Sequence, residues 1–305
     1  MNIQKIKEQL EIICPGKVEE NAPMARHTSF KAGGNADLLV TPGSVDELKK
    51  VLRFLDEEDC PHMVLGNGSN ILVRDGGYRG VIVKIGEAFD YIKVEGEVIR
   101  CGAGTLMSII AKAAADAELT GFEFASGIPG SIGGAVFMNA GAYDGEIREI
   151  LKRARLISQD GKREFYMSPE QLKMEYRHTL LHETKDIVVE AELKLKKGKD
   201  EWIRTKMAEL TARRNSKQPV QYPSAGSFFK RPTGYFAGKL IQDAGCKGLQ
   251  VGGAQVSELH SGFIINRGGA TATDILQLME IVQARVMDKY GVMLQPEVRI
   301  IGEDN

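Results

Sequence analysis

Apolar residues recur at intervals of three and four along several stretches of the chain, a spacing typical of amphipathic helices. The stretch 44–59 begins with Ser44 and carries Glu47 three residues later, which predicts a capping box at a helix N-terminus. The same spacing, or a start signal such as Ser168 before Pro169, predicts further helices at 106–117, 168–174, 199–217, 235–245 and 271–291.

Short apolar runs separated by glycine and turn residues predict β-strands in the remaining stretches. Such runs fill residues 61–86, and two hairpins are expected to turn near Gly96 and at Asp160-Gly161. Alternating apolar residues over 186–198 predict a strand with one buried face and one wet face. Strands are also expected near 249–266 and over 292–302. The chain is therefore predicted to be a mixed α and β protein.

Composition narrows the functional classes. The 305 residues include 40 Lys and Arg against 41 Asp and Glu, so no bulk positive charge favours binding to nucleic acid or to an anionic membrane. The first residues lack the apolar core of a secretion signal, and no run approaches the roughly 18 apolar residues of a membrane helix. The four cysteines form no CxxC pair. We expect a soluble, cytoplasmic protein with reduced cysteines.

Two glycine-rich segments are candidate phosphate cradles. The segment "GNGSN" at 66–70 follows an apolar strand, but Ile71 stands where the dinucleotide fingerprint has glycine, and a strand rather than a helix follows. The segment "SGIPGSIGGAVFMNAGAY" at 126–143 holds five glycines, whose backbone N–H groups can close around an anion. Tight turns are the alternative for either segment alone. Two such segments in one nearly neutral chain favour a bound diphosphate.

Isolated polar residues are ambiguous when taken singly. His178 and His182 lie four residues apart, but with no third ligand nearby we expect no metal. The basic stretch "RRNSKQP" could contact phosphate or complement a helix dipole. Arg177 could form a salt bridge or clamp a carboxylate. Ser227 lies outside a nucleophile elbow, because Ala225 and Phe229 occupy the glycine positions, so it could be a turn residue. Glu297 in an apolar strand requires a partner.

Five motifs together resemble the UDP-N-acetylenolpyruvoylglucosamine reductases: "LGNGSNILV", "ASGIPGSIGGAVFMNAGAY", "EYRHT", "SAGSFFKRP" and "LQPEVRIIG". They follow the family order and cover the chain from residue 25 to its end. The resemblance implies an α+β protein with a two-subdomain FAD-binding module of the vanillyl-alcohol-oxidase (PCMH) type and a C-terminal α+β substrate-binding domain. The expected divisions are 1–85, 86–217 and 218–305, with the last strand returning to the flavin site.

The resemblance also implies the site. Ser227 is the expected proton donor, with Arg177 and Glu297 stabilising the negative charge that hydride transfer creates on an enolpyruvyl sugar nucleotide. Tyr176, Lys230 and Arg231 are expected to contact that substrate. FAD, held non-covalently, would be reduced by NADPH. The expected FAD contacts are Gly66, Asn67, Gly68, Ser69, Asn70, Gly127, Pro129, Gly130, Ser131, Gly133, Gly134, Asn139 and Gly141.

Family members differ in how the substrate is enclosed. No counterpart of the tyrosine-bearing loop found in some members is visible between Arg177 and Ser224, so the chain resembles the shorter branch. A related flavin oxidase and a sugar-nucleotide sensor without flavin remain as alternatives. The expected partner is a small molecule, with no nucleic acid and no membrane, and the sequence is compatible with a monomer.

Overall fold

A computed structural model describes residues 2–304. Within them lie eight α-helices, four single-turn 3₁₀ helices and eighteen short β-strands. The helices are α1 (Ile3–Ile13), α2 (Val45–Glu57), α3 (Met107–Asp116), α4 (Ile132–Met138), α5 (Leu181–Thr184), α6 (Asp200–Lys217), α7 (Ala237–Asp243) and α8 (Ala272–Tyr290). None of these helices combines the length and the apolar character that crossing a bilayer requires.

The strands form small sheets rather than one large one. In chain order they are β1 (Val18–Pro23), β2 (Asn35–Val40), β3 (His62–Leu65), β4 (Ile71–Val73), β5 (Tyr78–Lys84), β6 (Ile92–Glu95), β7 (Val98–Gly102), β8 (Leu119–Thr120), β9 (Gly141–Ala142), β10 (Gly145–Glu146), β11 (Leu151–Ile157), β12 (Glu164–Met167), β13 (Ile187–Lys194), β14 (Lys196–Lys197), β15 (Gln250–Val251), β16 (Ala254–Val256), β17 (Ile264–Asn266) and β18 (Arg299–Ile301). The sheet orders are β1-β2-β5-β3, β12-β11-β13-β7-β6 and β15-β16-β17, and the pairs are β9-β10, β8-β14 and β4-β18.

The chain divides into two compact units. The first comprises the described residues up to Glu20 with Leu38–Asn67 and Gly80–Arg214, and the second comprises Asn21–Asp37, Gly68–Arg79 and the chain from Asn215 onward. Each unit has its own apolar core. Early residues belong to the second unit because β4 pairs in parallel with β18 and because Asn266 Nδ2 donates to Phe30 O at 3.0 Å. The expected three-part division at 85 and 217 stays a proposal about folding units.

Helix α2 shows how local sequence sets an element. Ser44 Oγ accepts from Glu47 N at 3.1 Å, as expected for an N-cap, and four leucine and valine side chains on one face are buried. The reciprocal half of the capping box differs from the prediction, because the Glu47 carboxylate accepts from Gly43 N at 2.7 Å instead of from Ser44 N. Helix α8 carries the complete capping box, between Thr271 and Asp274.

Three predicted elements differ in detail. Residues 168–174 form turns rather than an α-helix, although Ser168 and Gln171 exchange N-cap-like hydrogen bonds. Helix α3 begins at Met107, one residue later than predicted. Ile109, which the apolar spacing placed on the buried face, has 48% of its surface exposed. The last strand is only three residues long, because Pro296 has no N–H for a strand ladder and β4 offers a partner only from Arg299 onward.

Strand β13 is buried on both faces, which corrects the prediction of one wet face. Glu190 and Glu192 point away from the apolar core, yet they are 7% and 2% exposed. Arg153, from the neighbouring β11, donates to Glu192 at 2.7 Å, and Tyr91 donates to Glu190 at 2.5 Å. Long side chains from adjacent strands therefore cover the two carboxylates and pair with them.

Candidate active site

A tight turn in the second unit presents Ser227. Gly226, with φ +77°, lets the backbone enter the left-handed region without steric cost. Phe228 and Phe229 are buried, and the Phe228 ring meets Phe30 edge to face with 6.2 Å between ring centroids. The two rings anchor the turn in the core. Ser227 itself is half-buried, and within residues 2–304 its hydroxyl has no hydrogen-bond partner, so its proton is not committed elsewhere in the protein.

The segment carrying Glu297 runs beside this turn. Glu297 N donates to Phe228 O at 2.8 Å, and Lys230 N donates to Gln295 O at 2.8 Å. These bonds hold the two backbones antiparallel, one residue away from Ser227. The fold therefore brings the expected proton donor and the expected carboxylate to neighbouring backbone positions, although they are far apart in sequence.

The second half of the 66–70 segment is tied to the same region. Asn70 Nδ2 donates to Glu297 O at 3.2 Å, and Arg299 N donates to Asn70 O at 3.0 Å. Gly68 O accepts from Ser29 N at 3.1 Å, and an added Cβ at Gly68 would lie 2.1 Å from the carbonyl oxygen of His27. The Asn70 side chain thus holds the Glu297 segment in place, a role that the glycine-loop interpretation did not anticipate.

Arg177 lies in the first unit, at the end of the 126–143 segment. Its Nη2 donates to Gly141 O at 2.8 Å and its Nη1 donates to Asn139 O at 3.3 Å. The backbone of Arg177 has φ +54°, and its guanidinium carbon lies 5.0 Å from the ring centroid of Tyr176, which is half exposed. Both carbonyl contacts orient the guanidinium.

Asn139, an expected cofactor contact, is fully buried and bound inside the protein. Its Nδ2 donates to the Glu146 carboxylate at 2.9 Å and to Glu175 O at 3.0 Å, and its Oδ1 accepts from Arg148 N at 3.0 Å. Since Glu175 lies two residues before Arg177, Asn139 joins the end of the glycine-rich segment to the turn that carries Arg177. The side chain therefore positions Arg177.

Some backbone N–H groups of the 126–143 segment are hydrogen-bonded within the protein, and others are not. Ile132 N donates to Thr105 O and Gly133 N donates to Ala103 O, both at 2.9 Å, and an added Cβ at Gly133 would lie 2.9 Å from Ala103 Cβ. Gly133 is thus required for close packing inside the protein. Several backbone N–H groups of this segment have no acceptor within residues 2–304 and are available to a ligand, among them those of Gly127, Gly130 and Ser131.

Ser131 provides the test of whether an anionic cofactor fits. Its Oγ is buried without a hydrogen-bond partner in the described residues, although it stands at the N-cap of α4, where serine hydroxyls usually bond to the backbone. An added Cβ at Gly66 would lie 2.9 Å from this oxygen. An uncommitted hydroxyl between two glycine-rich segments fits a diphosphate, which accepts hydrogen bonds from hydroxyl and N–H donors alike.

Arg214 is a residue that the sequence interpretation missed. This half-buried arginine has no hydrogen bond or ion pair with a described residue, and burial lowers its pKa, an effect that Tyr143 partly offsets. An added Cβ at Gly127 would lie 2.9 Å from Arg214 Cδ. A buried guanidinium at a glycine loop calls for an anion. The signal was present in "RRNSKQP", but a basic helix end gives the same pattern.

Arg231 and the two histidines His178 and His182 also have contacts within the protein. Arg231 Nε donates to Tyr235 O at 3.3 Å, and the guanidinium lies 4.0 Å from the ring centroid of Phe236. His178 stacks on His182 with 4.8 Å between ring centroids. Within residues 2–304, no group of three or more histidine, cysteine or acidic side chains is arranged to hold a metal ion.

Comparisons with known proteins place the chain in a family. A family model described as FAD binding domain matches residues 36–164, and one described as UDP-N-acetylenolpyruvoylglucosamine reductase, C-terminal domain, matches residues 218–301. The UDP-N-acetylenolpyruvoylglucosamine reductase of Caldanaerobacter subterraneus subsp. tengcongensis is 50% identical over 301 residues, 99% of this chain and 98% of that protein. The protein of the same name from Clostridioides difficile is 46% identical over 97% of both chains.

Solved structures agree with the sequence comparisons. The UDP-N-acetylenolpyruvylglucosamine reductase (MurB) of Thermus caldophilus has a TM-score of 0.81 and 37% identity, covering 93% of this chain and 98% of that one. A glucose dehydrogenase, Phl p 4.0202, has a TM-score of 0.50 at 13% identity over 66% of this chain and 45% of that one, which shows a common fold only. The predicted FAD-binding module of the PCMH type with a C-terminal domain is confirmed. The chain belongs to the UDP-N-acetylenolpyruvoylglucosamine reductase family.

Proposed function

We propose that this protein uses NADPH and non-covalently bound FAD to reduce UDP-N-acetylglucosamine enolpyruvate to UDP-N-acetylmuramate, a step of peptidoglycan precursor synthesis. Family membership over nearly the whole chain supports the reaction. The observation that carries it at the level of residues is the uncommitted Ser227 hydroxyl, on a turn whose next residue is hydrogen-bonded to the backbone of Glu297.

Each residue has a role that follows from the charge the reaction develops. When bound, FAD would supply the chemistry for hydride transfer between NADPH and the enolpyruvyl group. Arg177 offsets the negative charge left beside the substrate carboxylate, Glu297 in its carboxylic-acid form donates a hydrogen bond to the same centre, and Ser227 donates the proton that neutralises it. A serine hydroxyl is a weak acid, so it can protonate only a strongly basic centre such as the one formed here. Tyr176, Lys230 and Arg231 contact the sugar nucleotide.

The residues proposed to hold FAD divide into donors and positioning groups. Backbone N–H groups and the Ser131 hydroxyl offer hydrogen bonds to the diphosphate, and Arg214 offers positive charge. Asn139 and Gly133 act indirectly, through the shape of the 126–143 segment. The remaining expected contacts with the cofactor are Gly66, Asn67, Gly68, Ser69, Asn70, Pro129, Gly134 and Gly141.

The proposed substrate and product set the cellular setting. Both are nucleotide-activated sugars, so we propose a cytoplasmic enzyme that acts in cell-wall biogenesis and thereby in cell shape and division. Its partners are small molecules rather than nucleic acid or membrane. The four buried free cysteines are in keeping with a reducing compartment.

The test separates the two half-reactions. The purified protein is reduced anaerobically with NADPH, and the enolpyruvyl substrate is then added while flavin absorbance is followed. Ser227→Ala is expected to keep reduction by NADPH and to slow reoxidation by substrate roughly 10²- to 10⁴-fold. Ser224→Ala, three residues earlier in the same loop, is the matched control and should behave as wild type.

Other outcomes would point elsewhere. Flavin absorbance that returns only when oxygen is admitted would support a flavin oxidase. A colourless protein that cannot be reconstituted with FAD would overturn the proposal. Equal losses in both half-reactions of Ser227→Ala would remove the proton-donor role.

A further inference from the structure

Phe236 is an unusual surface residue. It is the most exposed of the large aromatic side chains among residues 2–304, at 60%, although the guanidinium of Arg231 lies 4.0 Å from its ring centroid. Since one face of the ring is covered by Arg231, the remaining exposure comes from the opposite face and the edge. A flat apolar face backed by a cation is thereby presented to a ligand.

The stack is built in advance. Arg231 Nε donates to Tyr235 O at 3.3 Å, and Tyr235 N donates to Pro232 O at 3.1 Å, which closes the loop 231–235 on itself. Phe236 O accepts from Lys239 N and Leu240 N, so the start of α7 fixes the ring's backbone. A ligand that binds this face therefore loses little free energy in ordering the loop.

The position of the stack limits what it can bind. Phe236 follows Ser227 by nine residues in sequence, and Arg231 follows Lys230 directly, so the stack belongs to the same stretch of chain as two residues proposed to act on the substrate. In the reaction proposed above, on which this inference rests, the uracil ring is the aromatic part of the substrate and the diphosphate separates it from the sugar.

We propose that the exposed face of Phe236 stacks against the uracil ring of the UDP-sugar, with Arg231 as the second layer of the stack. This arrangement refines the contact proposed above between Arg231 and the sugar nucleotide. The guanidinium plane of Arg231 contacts Phe236, so Arg231 acts on the base through the ring, and Lys230 is the cation proposed for the phosphates. Cation and ring then act together, because the guanidinium polarises the ring that the base contacts.

Binding of uridine monophosphate to the FAD-loaded protein tests the stack, with ribose 5-phosphate as the probe that lacks a base. Stacking of one base on an aromatic side chain corresponds to a loss of roughly 5- to 150-fold in affinity when the ring is removed. We expect Phe236→Ala to weaken the binding of uridine monophosphate by this factor and to leave the affinity for ribose 5-phosphate unchanged. Phe236→Trp should restore binding. Arg231→Lys, which keeps the charge but lacks the plane, should give a smaller loss.

A matched control is available in the first unit. Tyr166 is 45% exposed beneath Arg153, whose guanidinium lies 4.3 Å from the ring centroid. Tyr166→Ala removes a similar exposed pair and should leave uridine monophosphate binding unchanged. In turnover, Phe236→Ala should raise KM for the enolpyruvyl substrate with little change in kcat, and should leave flavin reduction by NADPH as in wild type.

Four results would overturn the inference. The first is an unchanged affinity of Phe236→Ala for uridine monophosphate. The second is an equal loss for ribose 5-phosphate, which would indicate a distorted loop. The third is slower flavin reduction by NADPH in Phe236→Ala, which would assign the ring to the adenine or nicotinamide of NADPH. The fourth is an unchanged KM of Phe236→Ala for the enolpyruvyl substrate. If the wild-type protein turns over that substrate at the same time, the stack is refuted and the proposed function stands.

Discussion

Asn139 joins the glycine-rich segment to the residues before Arg177, so its replacement tests the architecture of the site. The side chain is 0% exposed and makes three hydrogen bonds within the protein. Its backbone has φ +43°, a left-handed conformation that asparagine tolerates better than alanine. Asn139→Ala removes all three bonds and adds backbone strain.

The expected loss of stability follows from these contacts. A hydrogen bond to a charged group such as the Glu146 carboxylate contributes about 1.5–3 kcal/mol, and one between neutral groups about 0.5–1.5 kcal/mol. Left-handed backbone costs alanine about 1–2 kcal/mol. We expect Asn139→Ala to lower the free energy of unfolding by about 4 kcal/mol, a large effect for one residue.

Urea-induced unfolding, followed by circular dichroism at a fixed FAD concentration, measures this loss. Asn139→Gly is the control, because it loses the same three bonds but glycine adopts the left-handed conformation without strain. It should be about 1 kcal/mol more stable than Asn139→Ala. Both variants should also reoxidise flavin with substrate more slowly than wild type, since Arg177 loses its support. A loss below 1 kcal/mol for Asn139→Ala, or equal stability of the two variants, would refute the reasoning.

Three further predictions concern the turn, a cap and a pH effect. Gly226→Ala has open space for its Cβ, so the expected loss of about 1–2 kcal/mol in urea unfolding is backbone strain alone, and a loss below 0.5 kcal/mol would contradict it. Ser44→Ala should lower stability by about 1 kcal/mol through loss of the α2 cap, whereas an unchanged urea midpoint would show that Gly43 and Glu47 suffice. Burial raises the pKa of Asp75, but hydrogen bonds from Thr273 and Ala272 lower it overall. The stability that Asp75 contributes is therefore fully present above the ordinary Asp pKa of about 4 and is lost as the pH falls through the lowered pKa of the folded state, so the difference between Asp75→Asn and wild type should be constant near pH 7 and shrink progressively below pH 4. A difference that does not depend on pH would refute this assignment.

The sequence pattern predicted those helices and hairpins that are determined by their own residues and caps. Helices α2 and α8 lie where apolar spacing and cap residues placed them, and the hairpins at Gly96 and Asp160-Gly161 turn as expected. Strand β13 was misjudged for a different reason. Its alternation suggested a wet face, but the partners that bury Glu190 and Glu192 come from other strands, and no pattern within the strand reveals them.

Some parts of the candidate site could likewise be predicted from the sequence, and others could not. Glycine-rich segments and the Ser227 turn were recognisable because they are contiguous in sequence. The neighbourhood of Ser227 and Glu297 depends on two backbone hydrogen bonds between segments that are distant in sequence, and only the family resemblance predicted it. Arg214 was weighed as part of a basic helix end, since burial, not residue type, distinguishes it from the exposed cations beside it.

Backbone strain is concentrated at the end of the glycine-rich segment. Of the ten non-glycine residues with positive φ within residues 2–304, Asn139 and Tyr143 lie on this segment, Asp144 directly follows it and Arg177 binds to it. Such conformations persist only where surrounding contacts over-determine them. Here the Asn139 bonds and the two carbonyls that accept from Arg177 supply those contacts, so the strain and the orientation of the guanidinium have one structural origin. Its carbonyl contacts therefore hold the Arg177 guanidinium in place within the protein, and the role proposed for it, stabilising a transient negative charge, would benefit from such preorganisation.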